Sequence, residues 1–101
     1  MKYFSKQGPN RHWLTLYGFS NEVSSIIGMP CQYETCIHDD NDLYSLWLSI
    51  DFARFEAHVY VEFDCGGEVS RDTISLSHID MNDESQLMPL LDEIVDEYLP
   101  Q

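Results

Sequence analysis

The residues best able to do chemistry in this chain lie on one short alternating run, Glu56-x-His58-x-Tyr60-x-Glu62. A histidine set between carboxylates can be tuned toward neutrality and suits proton transfer. Covalent catalysis with that base would need a nucleophile in a fixed relation to it, and here only Ser49 and Ser75 come near His58, as default neighbours in strand pairing. The polar side of any half-buried strand shows the same alternation with no reaction attached. For metals, Cys31-x4-Cys36-x-His38 offers no clear second ligand pair, and Cys65 and His78 stand at no recognised spacing. Asp39-Asp40-Asn41-Asp42 and Asp80-x-Asn82-x-Glu84 carry calcium-type oxygens but lack the glycine and distal glutamate of an EF-hand loop. A P-loop, a dinucleotide fingerprint, Gly-x-Ser-x-Gly and HExxH are all missing from the sequence. The residues therefore predict a protein that is not an enzyme, with no catalytic site, no metal and no cofactor.

Charge is the stronger signal. Eighteen acidic residues against five basic ones give a net charge of −13 in 101 residues. Residues 1–50 carry five acids and three bases, whereas residues 51–101 carry thirteen acids and two bases. After Arg71 no lysine or arginine occurs, while Asp72, Asp80, Asp83, Glu84, Asp92, Glu93, Asp96 and Glu97 follow. Such a field repels nucleic acid and anionic membranes and steers basic proteins inward. The alternative is that acidity only maintains solubility. Length and a 44% hydrophobic content fit a single domain spanning 1–101 and exclude a disordered acidic tail. No apolar run approaches the roughly 18 residues of a membrane span, and no apolar stretch follows the charged start Met1–Lys6. The odd cysteine count, Cys31, Cys36 and Cys65, reads as free thiols in a reducing compartment, so a cytoplasmic protein is expected.

The elements that position these residues follow from periodicity. A turn at Gly8-Pro9-Asn10 precedes an alternating strand over Arg11–Phe19. Ser20 can cap a short helix over 21–27 that Gly28 and Pro30 end, and a strand over Gln32–Ile37 leads into the loop 38–42. Leu46, Leu48, Ile50 and Phe52 alternate with polar residues, as do Phe55, Ala57, Val59, Val61 and Phe63. A reversal near Ala53-Arg54 sets Ile50 opposite Ala57, Leu48 opposite Val59 and Leu46 opposite Val61, so all apolar residues share one face. A second reversal centred on Gly66-Gly67 sets Val59 opposite Ile74, Ala57 opposite Leu76 and Glu62 opposite Arg71. Leu87, Leu91, Ile94, Val95 and Tyr98 recur at helical spacing, with Asp92, Glu93, Asp96 and Glu97 on the other side. Asp83 or Ser85 is the expected cap, and Pro89 confines the regular helix to a start close to residue 86. The fold class expected is α+β. An antiparallel sheet of four to five strands, with its meander over about 44–77, packs under a C-terminal helix, and one short N-terminal helix lies alongside.

On the polar side of that meander the expected rows are Ser45, Glu62 and Arg71; Trp47, Tyr60 and Thr73; Ser49, His58 and Ser75; and Asp51, Glu56 and Ser77. If this side is open, Trp47 and Tyr60 are exposed aromatics among carboxylates, a composition suited to a basic protein partner. Otherwise N-terminal residues such as Tyr3, Phe4 and Trp13 cover it. The candidate partner-binding residues are thus Trp47, Asp51, Glu56, His58, Tyr60 and Glu62 on the sheet, with Asp92, Glu93, Asp96 and Glu97 on the last helix.

In size, acidity and α+β character the chain resembles the small immunity proteins of bacterial toxin systems, including those of contact-dependent growth inhibition. The resemblance covers the chain's type rather than particular residues. It implies an inhibitor that covers a cognate toxin domain, most naturally a nuclease, whose basic phosphate-holding surface an acidic protein complements. A phage-type DNA mimic occupying a nucleic-acid channel is the alternative, and the acidic helix face would suit it.

Overall fold

Alternation of apolar and polar residues decides which side of each strand meets the core, and pairing then brings those sides together. A computed structural model describes residues 17–19 and 33–100. Its strands are β1 (Tyr33–His38), β2 (Tyr44–Asp51), β3 (Glu56–Phe63) and β4 (Glu68–Ser75), followed by the helix α1 (Glu84–Tyr98). The four strands form an antiparallel meander in the order β1-β2-β3-β4, which with α1 makes an α+β fold. The expected short helix over 21–27 lies outside the described residues, as do Cys31 and most of the expected strand over 11–19. The described end of that strand, Tyr17–Phe19, is not extended: Gly18 turns the chain with φ 91.

The β2–β3 register is the expected one, with Leu46 opposite Val61, Leu48 opposite Val59 and Ile50 opposite Ala57. These six side chains are essentially without solvent exposure. The helix covers them with Leu87, Met88, Leu91, Ile94 and Val95, all buried in the same cluster. At about 1.5–3 kcal/mol for each large apolar side chain fully buried, this interface is the main source of stability. Tyr17 and Phe19 join the cluster, and the Tyr17 hydroxyl donates to Glu84 at 2.5 Å. Burial and that carboxylate together push the Tyr17 phenol up to about 12.

The β3–β4 register differs from expectation. Glu62 lies opposite Glu68 rather than Arg71, and Tyr60 opposite Arg71 rather than Thr73. Likewise Val59 lies opposite Asp72, and Ala57 opposite Ile74. The cause is the turn, which centres on Cys65 rather than between Gly66 and Gly67. Gly66 N–H donates to the Phe63 carbonyl at 2.9 Å and Phe63 N–H donates to Gly67 at 3.0 Å, with both glycines at positive φ. That turn alone slips the pairing by three residues, from Arg71 to Glu68, and an odd slip would turn β4 over. An irregularity between Val61 and Glu62 restores one residue, so the net slip is two and Ile74 stays on the apolar side.

The helix begins two residues earlier than the proline suggested. Asp83 caps it by accepting from Ser85 N–H at 3.0 Å, and Glu84 opens the first turn. Pro89 lies inside the helix on its exposed side, where its missing N–H leaves the Ser85 carbonyl without a helical donor, close enough to the N-terminus for water to satisfy it. Among the described residues no helix is long and apolar enough to cross a membrane.

Candidate functional site

The sheet has two faces, and the polar one is largely sealed. Ser45, Ser49, Asp51, His58 and Glu34 are between 0% and 8% exposed, while Trp47, Tyr60, Glu56 and Glu62 are half-buried. Two of the candidate binding residues on the sheet therefore lie beneath the surface. Asp51 serves the β2–β3 turn: its Oδ1 accepts from Ala53 N–H at 3.0 Å and Arg54 N–H at 3.1 Å. His58 is held by Thr73, with Nδ1 3.1 Å from the hydroxyl oxygen, and its Nε2 lies 3.4 Å from the Glu56 carboxylate.

The same contacts decide what chemistry this face can do. Ser49 donates to the buried Glu34 carboxylate at 3.1 Å, and Ser75 pairs with Ser77 at 3.0 Å, so both serines are engaged away from His58. Cys36 lies in the same row as Trp47, and burial, with Glu62 and Glu34 nearby, pushes its thiol up to about 11. That is the reverse of what a thiolate nucleophile requires. Cys36 and Cys65 are free thiols. Among the described residues no three His, Cys, Asp or Glu side chains converge to hold a metal ion. The two acidic stretches with calcium-type oxygens act locally instead: Asp39 accepts from Leu43 and Tyr44 N–H, and Asp80 accepts from Asn82 N–H.

The aromatic row is tied to its carboxylates. Trp47 Nε1–H donates to Glu62 at 3.4 Å, and the Arg71 guanidinium stacks 4.6 Å above the Tyr60 ring while donating to Glu68 at 2.9 Å. Burial first, then Glu62 and Glu68, raises the Tyr60 phenol above its ordinary value. On the last helix Glu93, Asp96 and Glu97 are exposed and Asp92 is half-buried. The fold thus gathers Trp47, Glu62 and Tyr60 at one place and leaves the helical acids as a separate surface.

Pattern reading missed a third region at the end of the sheet where the apolar face runs out of cover. One pair inward, Leu46 and Val61 are fully buried, but their neighbours Tyr44 and Phe63 reach the surface. Phe63 is 42% exposed and Leu43 is 56% exposed. Asp42, Leu43, Tyr44, Phe63, Asp64 and Cys65 line a groove between the β1–β2 and β3–β4 loops. Tyr44 and Phe63 stack with centroids 5.2 Å apart, and Asp64 N–H donates to the Leu43 carbonyl at 2.8 Å, fastening one loop to the other. Val69, 40% exposed, marks the irregular β4 pairing at this end. The signal in the sequence was a lone leucine in a polar loop and a phenylalanine placed last in its strand. Comparison with protein-family models, curated proteins and solved structures finds no match to this chain.

Proposed function

We propose that the protein is a binding protein that neutralises a basic partner, most specifically an immunity protein that covers a cognate toxin domain, with a nuclease as the partner its charge fits best. The observation that carries this reading is the uncompensated acidity. Residues 33–100 hold seventeen of the eighteen acids and only two arginines. Both arginines are engaged within the fold, Arg54 beside Asp51 at 3.8 Å and Arg71 with Glu68. What remains is a one-signed field that accelerates encounter with a cationic surface and rejects acidic ones. The exposed acids Glu93, Asp96 and Glu97, one helical turn or less apart, also fit a DNA mimic that would occupy a nucleic-acid channel.

Affinity capture separates the readings. The purified protein is immobilised, exposed to lysate of its source at low and high salt, and the retained proteins are identified. One basic protein retained at high salt in a stoichiometric complex, with its activity abolished by one equivalent of this chain, is the expected result. Several nucleic-acid-binding proteins lost at high salt would favour the mimic. A column that retains nothing at low salt would overturn both and leave the charge as a solubility device.

A further inference from the structure

We propose that the groove between Leu43 and Phe63 is the docking point for a cationic segment of the partner, one apolar side chain inserting between these walls while flanking lysines or arginines meet Asp42 and Asp64. This rests on the reading that the partner is basic and adds where and how it is held.

Three observations carry it. The walls are apolar and partly open, Leu43 at 56% and Phe63 at 42% exposure, beside central strands whose Leu46, Leu48, Ile50, Ala57, Val59 and Val61 are buried. A hot spot needs such an anchor, because charge alone gives steering more than affinity. The loops are also held before any partner arrives. Asp39 Oδ1 accepts from Leu43 N–H at 2.7 Å and Tyr44 N–H at 2.9 Å, and Asp42 N–H donates to the Asp39 carbonyl at 3.2 Å. The link from Asp64 to Leu43 and the two bonds between Phe63 and the Gly66-Gly67 turn fix the other wall. Binding to a rigid groove avoids the cost of ordering loops. Finally, the rim selects the occupant. Asp39, Asp40, Asp42 and Asp64 crowd these two loops, which hold no lysine or arginine. A second copy would bring the same carboxylates against them, and like charges face to face disfavour that pairing. A cationic segment meets no such penalty.

The test uses the full chain and two synthetic probes: an oligolysine peptide with one central tryptophan, and the same peptide with alanine in its place. Affinities are measured at physiological ionic strength for the natural protein, Phe63→Ser, Leu43→Ser, and Phe55→Asn as control. Phe55 is equally exposed, at 53%, but sits in the β2–β3 turn at φ 56, a conformation asparagine tolerates. The expected result is roughly tenfold tighter binding of the tryptophan peptide, lost in Phe63→Ser and Leu43→Ser and kept in Phe55→Asn. Circular dichroism confirms that each variant is folded, and Leu43→Ser stands alone if Phe63→Ser is not. Equal binding of both peptides, insensitive to Phe63 and Leu43, would overturn the groove while leaving the basic-partner reading intact. No binding of either peptide would overturn both. Self-association lost on Phe63→Ser, with peptide binding unchanged, would make the groove a contact between copies and overturn the proposal.

Discussion

Replacing Asp51 by alanine distinguishes a residue that holds the fold from one that meets a partner. Asp51 is 5% exposed, and its side chain accepts from two consecutive backbone N–H groups in the turn that sets the β2–β3 register. This is the strand-turn equivalent of a helix cap, whose removal costs about 1–2 kcal/mol. The Arg54 guanidinium adds little, since it is exposed and 3.8 Å away. For a domain of this size about 1 kcal/mol moves the melting temperature by roughly 4–8 °C, so Asp51→Ala should melt roughly 5–15 °C lower. Asp51→Asn keeps an oxygen acceptor for both N–H groups and should retain most of that stability. Thermal unfolding followed by circular dichroism gives the comparison, and partner affinity is measured well below both midpoints. An Asp51→Ala protein that melts like the natural one but binds its partner poorly would refute the structural role argued for this carboxylate.

The remaining predictions concern the helix. Tyr98 donates a hydrogen bond to the Asp72 carboxylate, which holds Asp72 below its ordinary carboxylate range and pushes the Tyr98 phenol up to about 12. A depressed acid stabilises above its unfolded pKa and loses that contribution as pH falls through the folded one. A raised phenol stabilises below its unfolded pKa and loses that contribution as pH rises toward about 12. Tyr98→Phe should therefore melt lower than the natural protein near pH 7, with the gap closing below roughly pH 4 and above roughly pH 10; a gap constant across that range would contradict the linkage. Leu91→Ala removes a side chain with 0% exposure from the helix–sheet interface and should cost about 3 kcal/mol in urea unfolding. A loss under about 1 kcal/mol would mean that the helix does not pack through this residue.

The first hairpin was legible because two constraints coincide. A one-residue slip would part Leu46, Leu48 and Ile50 from Ala57, Val59 and Val61, and the reversal at Ala53-Arg54 chooses among the registers that keep them on one side. The second hairpin was less constrained, since β4 carries few apolar residues and a slip of two preserves its faces. Ile74 could sit opposite Val59 or Ala57 without changing sides, and the choice fell to turn geometry that Gly66-Gly67 permits but does not specify. Position along a strand fixes which face a side chain takes, but not whether that face is covered. Asp51 and His58 therefore read as surface groups although both are buried. The groove was invisible for the converse reason: Tyr44 and Phe63 continue a core pattern and differ from Leu46 and Val61 only in lying where cover ends.

On the proposed reading, that boundary divides steering from anchoring within one small domain. The helical acids Glu93, Asp96 and Glu97 stand at the C-terminal end of α1, where the helix dipole is already negative and the last turn itself holds no basic residue. They are exposed and stand at the unfavourable end of the dipole, so they suit long-range attraction, which is screened by salt beyond about 8–10 Å. Leu43 and Phe63 contribute no charge and, on the docking proposed above, would act only once surfaces touch, expelling water from the groove they line. An encounter begun by the first surface and completed at the second would show a salt-dependent association rate and a dissociation rate governed by the apolar walls. Acids placed for solubility alone would not need a rigid, stapled groove among them, and it is the coexistence of the two that favours association over mere solubility.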